Sequence, residues 1–74
     1  MGFYQNRVVE EKEQLDIRLH SLRSFIGGDR FKSLSMDEQL RMKRQEKIMS
    51  LYVDVLDERI AAFRGDAHGQ ETMA

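Results

Sequence analysis

The residues from Ile48 to Phe63 carry more apolar surface than one surface helix of a small protein normally needs. As a helix they form two adjacent apolar stripes, whereas a surface helix usually shows one. The first stripe holds Ile48, Leu51, Val55 and Ala62, and the second holds Met49, Tyr52, Leu56, Ile60 and Phe63. The chain has room for only one other long helix, so we expect part of this surface to face a second copy.

Length and composition also point to association. The chain has 74 residues, and a core of that size rarely supplies more than ~3–5 kcal/mol by itself. Cysteine is absent, which excludes disulfides and thiolate metal sites, and no cofactor is expected. Proline is also absent and charged helix formers are abundant, so the composition favours an all-α protein. The net charge of −1 gives no global basic field for a DNA or RNA polymer.

The periodicity predicts a helical hairpin. A first helix is expected at 3–26, where one apolar stripe recurs at helical spacing and Gly27-Gly28 ends it through the left-handed conformation that glycine favours. A short helical turn at 29–34 follows, with Asp29 as its cap and with Phe31 folding back onto the hairpin. A second helix is expected at 36–64, opened by a capping box. Residues 1–64 then form a single domain and 65–74 a flexible tail.

Several function classes find no support in the sequence. No apolar run reaches the roughly 18 residues of a membrane span, and the N-terminus does not read as a signal peptide, so we expect a cytoplasmic protein without membrane contact. His20 follows Asp16 by one helical turn, but two ligands are too few for a metal site. No catalytic constellation is present, and an enzyme is the least expected class.

Three features suggest ligand binding, each with a structural alternative. Phe3 and Tyr4 either cap the far end of the second helix or form a stacking platform. Arg59 lies among apolar residues, and copies that meet on a symmetry axis would repel unless an anion lies between them. A basic segment contains Arg41, Lys43, Arg44 and Lys47. It is either a solvated helix face or a phosphate-contacting surface of a nucleic-acid accessory protein.

Three segments carry a resemblance to a known family. The runs RVVEEKEQLDIRLHSLRSFI, FKSL and YVDVLDERIAAF, within residues 4–63, resemble small phage proteins that include the anti-CBASS cyclic-nucleotide sponges. The resemblance implies a compact helical hexamer that binds cyclic dinucleotides between protomers. Some family members also bind cyclic trinucleotides on three-fold axes. Such proteins hold their ligand uncleaved, so the host's antiviral effector stays inactive.

The resemblance also implies site residues. For the cyclic dinucleotide, Tyr4 is the expected base-stacking aromatic with Phe3 second, Arg18 the expected basic residue, and His20 falls where the family has a small hydroxyl residue. For the cyclic trinucleotide, the natural counterpart of the family's arginine is Arg59. The residues placed with it are Asn6 and Arg7, which could line either pocket.

Together these observations predict a phage-encoded sponge in the bacterial host cytoplasm. It would be a homo-oligomer, a hexamer by the resemblance, that sequesters cyclic di- and trinucleotides and blocks CBASS-type signalling. The alternative is a structural or adaptor oligomer that binds a host or phage protein through an exposed apolar stripe.

Overall fold

The computed structural model describes the backbone of residues 3–64 and the side chains of residues 4–64. Two long helices, α1 (Phe3–Ile26) and α3 (Met36–Arg64), are joined by the short helix α2 (Asp29–Lys32). Over these residues the protein is all-helical and forms a hairpin, which confirms the predicted all-α hairpin, whereas its assembly into an oligomer stays a prediction. The predicted division into a domain and a tail stays a prediction, because 65–74 lie outside the described residues.

Helix α1 ends at Gly27-Gly28, but not in the way that was expected. The Gly27 amide donates to the Arg23 carbonyl at 3.0 Å and the Gly28 amide to the Phe25 carbonyl at 3.0 Å. Gly28 has φ −100° and ψ 177°, an extended conformation, and neither glycine is left-handed. The predicted left-handed cap is therefore wrong, because Gly28 leads in extended form directly into α2.

The start of α3 is capped by a side chain, whereas the start of α2 is not. The Glu38 amide donates to Ser35 Oγ at 3.2 Å, one half of the predicted capping box. Helix α2 instead has Gly28 at its N-cap without a side-chain bond, so the prediction that Asp29 caps it is wrong. Asp29 is the first residue of α2 itself.

Phe31 closes the hairpin at the connection. Its side chain is buried, with 5% exposed, and its ring meets Phe25 edge-on at a centroid distance of 6.5 Å. The predicted folding-back of Phe31 is confirmed. This contact ties α2 to the end of α1.

The interhelical core is small and depends on Leu56. Val8, Leu15 and Leu56 form one buried cluster, in which Leu56 has no exposed surface. The partly buried side chains packed against this cluster are Met49, Val53, Ile60 and Phe63. The second stripe of α3 thus faces α1, and Tyr52 lies at the edge of this contact with 42% of its surface exposed.

The first stripe of α3 is left uncovered in the protomer. Ile48, Leu51 and Val55 are 58%, 60% and 49% exposed, and Ala62 is also exposed. We call Ile48, Leu51, Val55 and Ala62 the exposed stripe. The surplus apolar surface that the sequence predicts is therefore exposed, on one side of α3.

Among residues 3–64, no helix has the long uncharged apolar stretch of a membrane span.

Leu56→Ala tests the dependence of the fold on this core. Leucine-to-alanine changes at fully buried sites cost about 2–5 kcal/mol, which is comparable to the whole stability of a core this small. We expect a cooperative thermal transition to be largely lost in circular dichroism. The matched control is Ile17→Ala, at a side chain that is 60% exposed, which should leave the midpoint nearly unchanged. Equal effects of the two changes would contradict the proposed core.

Candidate functional site

The contact between α1 and α3 has two sides along its length, which we call the flanks of the hairpin. On α1, Lys12 precedes the buried Leu15 by three residues and Arg18 follows it by three. At about 100° per residue these side chains lie on opposite sides of Leu15, ~120° apart. On α3, Asp57 and Arg59 follow the buried Leu56 by one and three residues, which places them on opposite sides of it, ~160° apart. The Lys12–Asp57 ion pair, at 3.2 Å, shows which sides belong together.

The first of these, the paired flank, carries two ion pairs that join α1 to α3. Lys12 Nζ lies 2.9 Å from Asp16 and 3.2 Å from Asp57, which joins α1 to α3. Arg23 lies eleven residues after Lys12 on α1, and Glu46 lies eleven residues before Asp57 on α3. Arg23 Nε donates to Glu46 at 2.6 Å. On this flank Lys12 and Arg23 each have a carboxylate partner on α3, so the two ion pairs join the long helices of the hairpin.

The ion pairs also act on Lys12 itself. Hydrogen bonds to Asp16 and then to Asp57 raise the pKa of Lys12 above its usual value, because both carboxylates favour the charged ammonium. The side chain stays in contact with solvent, so the stabilisation is of the modest, salt-screened kind that exposed pairs give.

The second, the open flank, holds arginines without partners, among them Arg7, Arg18 and Arg59. Arg7, Arg18 and Arg59 form no ion pair or hydrogen bond among the side chains of residues 4–64. Arg7 and Arg18 are eleven residues apart, about three turns, and therefore lie on the same side of α1. Tyr52 marks the same side of α3, because its hydroxyl donates to the Glu11 carboxylate across the helix contact.

Helix periodicity places these arginines beside the exposed stripe. Arg59 is four residues after Val55 and eleven after Ile48, so all three share one side of α3. Arg7 lies level with Arg59, because both fall between the contact pairs Tyr4–Phe63 and Lys12–Asp57. The open flank thus combines unpaired guanidinium groups with an exposed apolar surface.

Tyr4 has the position of a cap and also remains accessible. Its ring meets Phe63 edge-on, with centroids 6.1 Å apart and an interplanar angle of 70°. The packing alternative for this residue is therefore realised, yet 59% of Tyr4 is exposed. The side chain of Phe3 lies outside the described residues.

Two of the expected site residues lie away from the open flank. His20 is two residues after Arg18, about 200° around α1, and Asn6 is displaced from Val8 by the same angle. Both are exposed on the outer side of α1. Within one protomer the structure brings Tyr4, Arg7, Arg18 and Arg59 to one flank and leaves His20 and Asn6 on the outer face.

The basic segment does not act as one surface. Arg41 Nε donates to Glu38 at 2.8 Å, one turn earlier on the same helix. Lys43 Nζ lies 5.8 Å above the Phe31 ring, a cation–π contact. Among the described residues, no cluster of histidine, cysteine or carboxylate side chains has the arrangement of a metal site.

A cleft near the hairpin turn was not found from the sequence. It has a volume of about 460 Å³ and lies between the end of α1 and the first half of α3. Its lining residues are Arg23, Ile26, Lys43, Glu46 and Lys47. The sequence pattern marks only Lys43 and Lys47, as part of the basic segment. It does not show which residues of α1 lie opposite them.

The fold and the open flank define a class, a small two-helix hairpin protein with one arginine-bearing apolar flank. The chain belongs to the Sequestin family, whose model matches residues 3–62. It is also 36% identical over 61 residues to an uncharacterized 7.5 kDa protein in the denB-rIIB intergenic region of Enterobacteria phage T4. That match covers 82% of this chain and 95% of the phage protein. No solved structure matches the chain.

These matches confirm the resemblance to small phage sequestering proteins that the sequence segments suggested. The family name denotes a binding and sequestering role. The matched residues include all of α1 and α3 as far as Ala62, and therefore both flanks of the hairpin.

Lys12→Met tests the paired flank by removing the charge while keeping an aliphatic stem. We expect a lower thermal midpoint at neutral pH, and a smaller difference from the natural protein in about 1 M salt, which screens exposed pairs. Because contact in the folded state raises the Lys12 pKa, its contribution is complete below the pKa of the unfolded chain and is lost as pH rises through the folded-state pKa.

Circular dichroism melts at neutral and strongly alkaline pH measure this dependence. Lys32→Met, at an exposed lysine without an ion pair among the described residues, is the matched control. A Lys12→Met difference that persists unchanged at alkaline pH and in high salt would contradict the ion-pair account.

Proposed function

We propose that this Sequestin-family protein is a phage-encoded sponge for cyclic oligonucleotide second messengers. In this proposal it binds cyclic dinucleotides, and cyclic trinucleotides at a second kind of pocket, and holds them without cleavage. Sequestration would keep CBASS-type antiviral signalling in the host cytoplasm switched off. The observation that carries the proposal is the open flank, where unpaired arginines lie beside an exposed apolar stripe.

The chemistry of this flank suits phosphate-bearing ligands. A guanidinium group offers a planar set of donors that matches two phosphate oxygens at once, and it stays charged at every physiological pH. Arg7, Arg18 and Arg59 have these donors available to a ligand, whereas Lys12 and Arg23 on the paired flank are engaged by carboxylates. We assign Arg18 to the cyclic dinucleotide, and Arg59 with Arg7 and Asn6 to the cyclic trinucleotide.

An aromatic platform completes the dinucleotide pocket in this proposal. Tyr4 contacts Phe63 with one edge of its ring, and its exposed part is available to stack on a base. Phe3 is its proposed neighbour in the same role. His20 lies on the outer face of α1, so it would reach this ligand only from a second protomer.

The proposed pockets lie between subunits, with the exposed stripe as the contact. Burying Ile48, Leu51 and Val55 against a second copy would add the apolar area that the small core lacks. A two-fold contact supplies each pocket element twice, which suits a ligand with two phosphates and two bases. Six copies are the proposed assembly, with copies of Arg59 converging at the three-fold axes.

The exposed stripe also favours a second candidate, an adaptor that binds a host or phage protein. An uncovered apolar surface of this kind is typical of a protein-binding site. The adaptor predicts no binding of cyclic oligonucleotides, and it predicts that changes at Tyr4 or Arg59 alter only assembly or stability. The two candidates therefore differ in a measurable way.

Leu51→Glu tests the subunit contact by placing a charge in the middle of the exposed stripe. We expect the oligomer to dissociate, because a buried unpaired charge is costly. The matched control, Ile17→Glu, changes an equally exposed apolar residue on α1 and should leave the oligomer intact. Sedimentation velocity at micromolar concentration measures both. A natural protein that sediments as a monomer would rule out the intersubunit pockets.

Arg18→Ala and Arg59→Ala test the ligand assignment. Hydrogen bonds to charged groups contribute ~1.5–3 kcal/mol, so each change should weaken its own ligand by about tenfold or more. We expect Arg18→Ala to affect the cyclic dinucleotide and Arg59→Ala the cyclic trinucleotide. Isothermal titration calorimetry with 3′,3′-linked cyclic dinucleotides and with cyclic trinucleotides measures these affinities.

Arg30→Ala is the matched control, because Arg30 is an exposed arginine in α2, away from the open flank. It should bind both ligands as the natural protein does. Absence of heat and of thermal stabilisation across the whole ligand panel in the natural protein would reject the sponge and leave the adaptor.

A further inference from the structure

The cleft beside the hairpin turn gathers positive charge from two helices. Arg23 comes from the last turn of α1, and Lys43 and Lys47 come from successive turns of α3. Glu46 is the single acidic residue among the lining side chains, so three cations face one carboxylate and the cleft has a net charge of two positives. Ile26 adds an apolar wall.

Two of the three cations are held in place by other side chains. Arg23 donates from Nε to Glu46 at 2.6 Å and from Nη2 to Ser50 Oγ at 3.3 Å. A guanidinium group has five N–H donors, so these contacts fix its orientation and leave further donors available. Lys43 lies over the ring of Phe31, which is buried and cannot easily move away.

Lys47 is the cation of the cleft that lacks any partner among the described residues. It lies one helical turn after Lys43, and like charges at that spacing destabilise a helix. Glu46 accepts from Arg23 and forms no ion pair with either lysine among the described residues. An anion between the two ammonium groups would relieve their repulsion.

We propose that this cleft is a second anion site, which binds a phosphate group of a small phosphorylated ligand. Lys43 and Lys47 contact the phosphate oxygens, the remaining Arg23 donors complete the contact, and Ile26 lies against the non-polar part of the ligand. The site does not depend on the proposed sponge function, because it lies on the side of the hairpin away from the open flank and is complete within one protomer.

A titration with inorganic pyrophosphate, followed by ¹H–¹⁵N NMR at constant ionic strength, tests this site. We expect saturable shifts centred on the amides of Ile26, Lys43, Glu46 and Lys47. Lys43→Gln and Lys47→Gln should each weaken the affinity by about fivefold, since an exposed charge pair contributes up to ~1 kcal/mol. Lys32→Gln removes an exposed lysine near the turn but outside the cleft, and should bind as the natural protein does.

Three results would overturn the site. They are shifts that do not saturate, shifts that centre on Arg7, Arg18 and Arg59, and an equal weakening by Lys32→Gln. Arg59→Ala separates this site from the sponge proposal, because it should leave pyrophosphate binding at the cleft unchanged. If pyrophosphate binds at the cleft and cyclic oligonucleotides do not bind, the sponge proposal fails. If cyclic oligonucleotides bind and pyrophosphate does not bind at the cleft, the second anion site fails.

Discussion

The contact of Leu56 with Val8 and Leu15 fixes how α3 is rotated against α1, and the rest of the surface follows from that rotation. With Leu56 fully buried, Asp57 necessarily lies on one flank and Arg59 on the other. The same rotation places Ile48, Leu51 and Val55 outside the hairpin. One buried leucine thus separates a flank that is joined by ion pairs from a flank with unpaired arginines and apolar surface.

The two flanks differ in how their charged and apolar side chains are arranged. Ion pairs across the paired flank, at Lys12 and Arg23, join α1 to α3. On the open flank, the apolar surface favours association and the arginines oppose it through mutual repulsion. In the proposed oligomer, an anionic ligand would resolve this opposition, since it would neutralise the arginines where the apolar stripes of two copies meet. Assembly and ligand binding would then depend on one surface.

Much of this fold could be predicted from the sequence, because local signals dominate a helical hairpin. Ser35 caps α3 as expected, and the surplus apolar stripe is exposed as expected. The cleft and the Arg23–Glu46 pair could not be predicted, because they depend on the relative register of two helices, which periodicity alone does not give. The different directions of Arg18 and His20 were accessible from their spacing of two residues, which helical geometry sends to opposite sides.

The proposed sponge holds its ligand and does not alter it. Equilibrium dialysis against a cyclic dinucleotide, followed by heat denaturation and mass spectrometry of the released ligand, tests both parts at once. The account predicts an excess of ligand on the protein side and recovery of all of it in the cyclic form. Equal ligand concentrations on the two sides, or recovery of a linear or otherwise altered nucleotide, would contradict it.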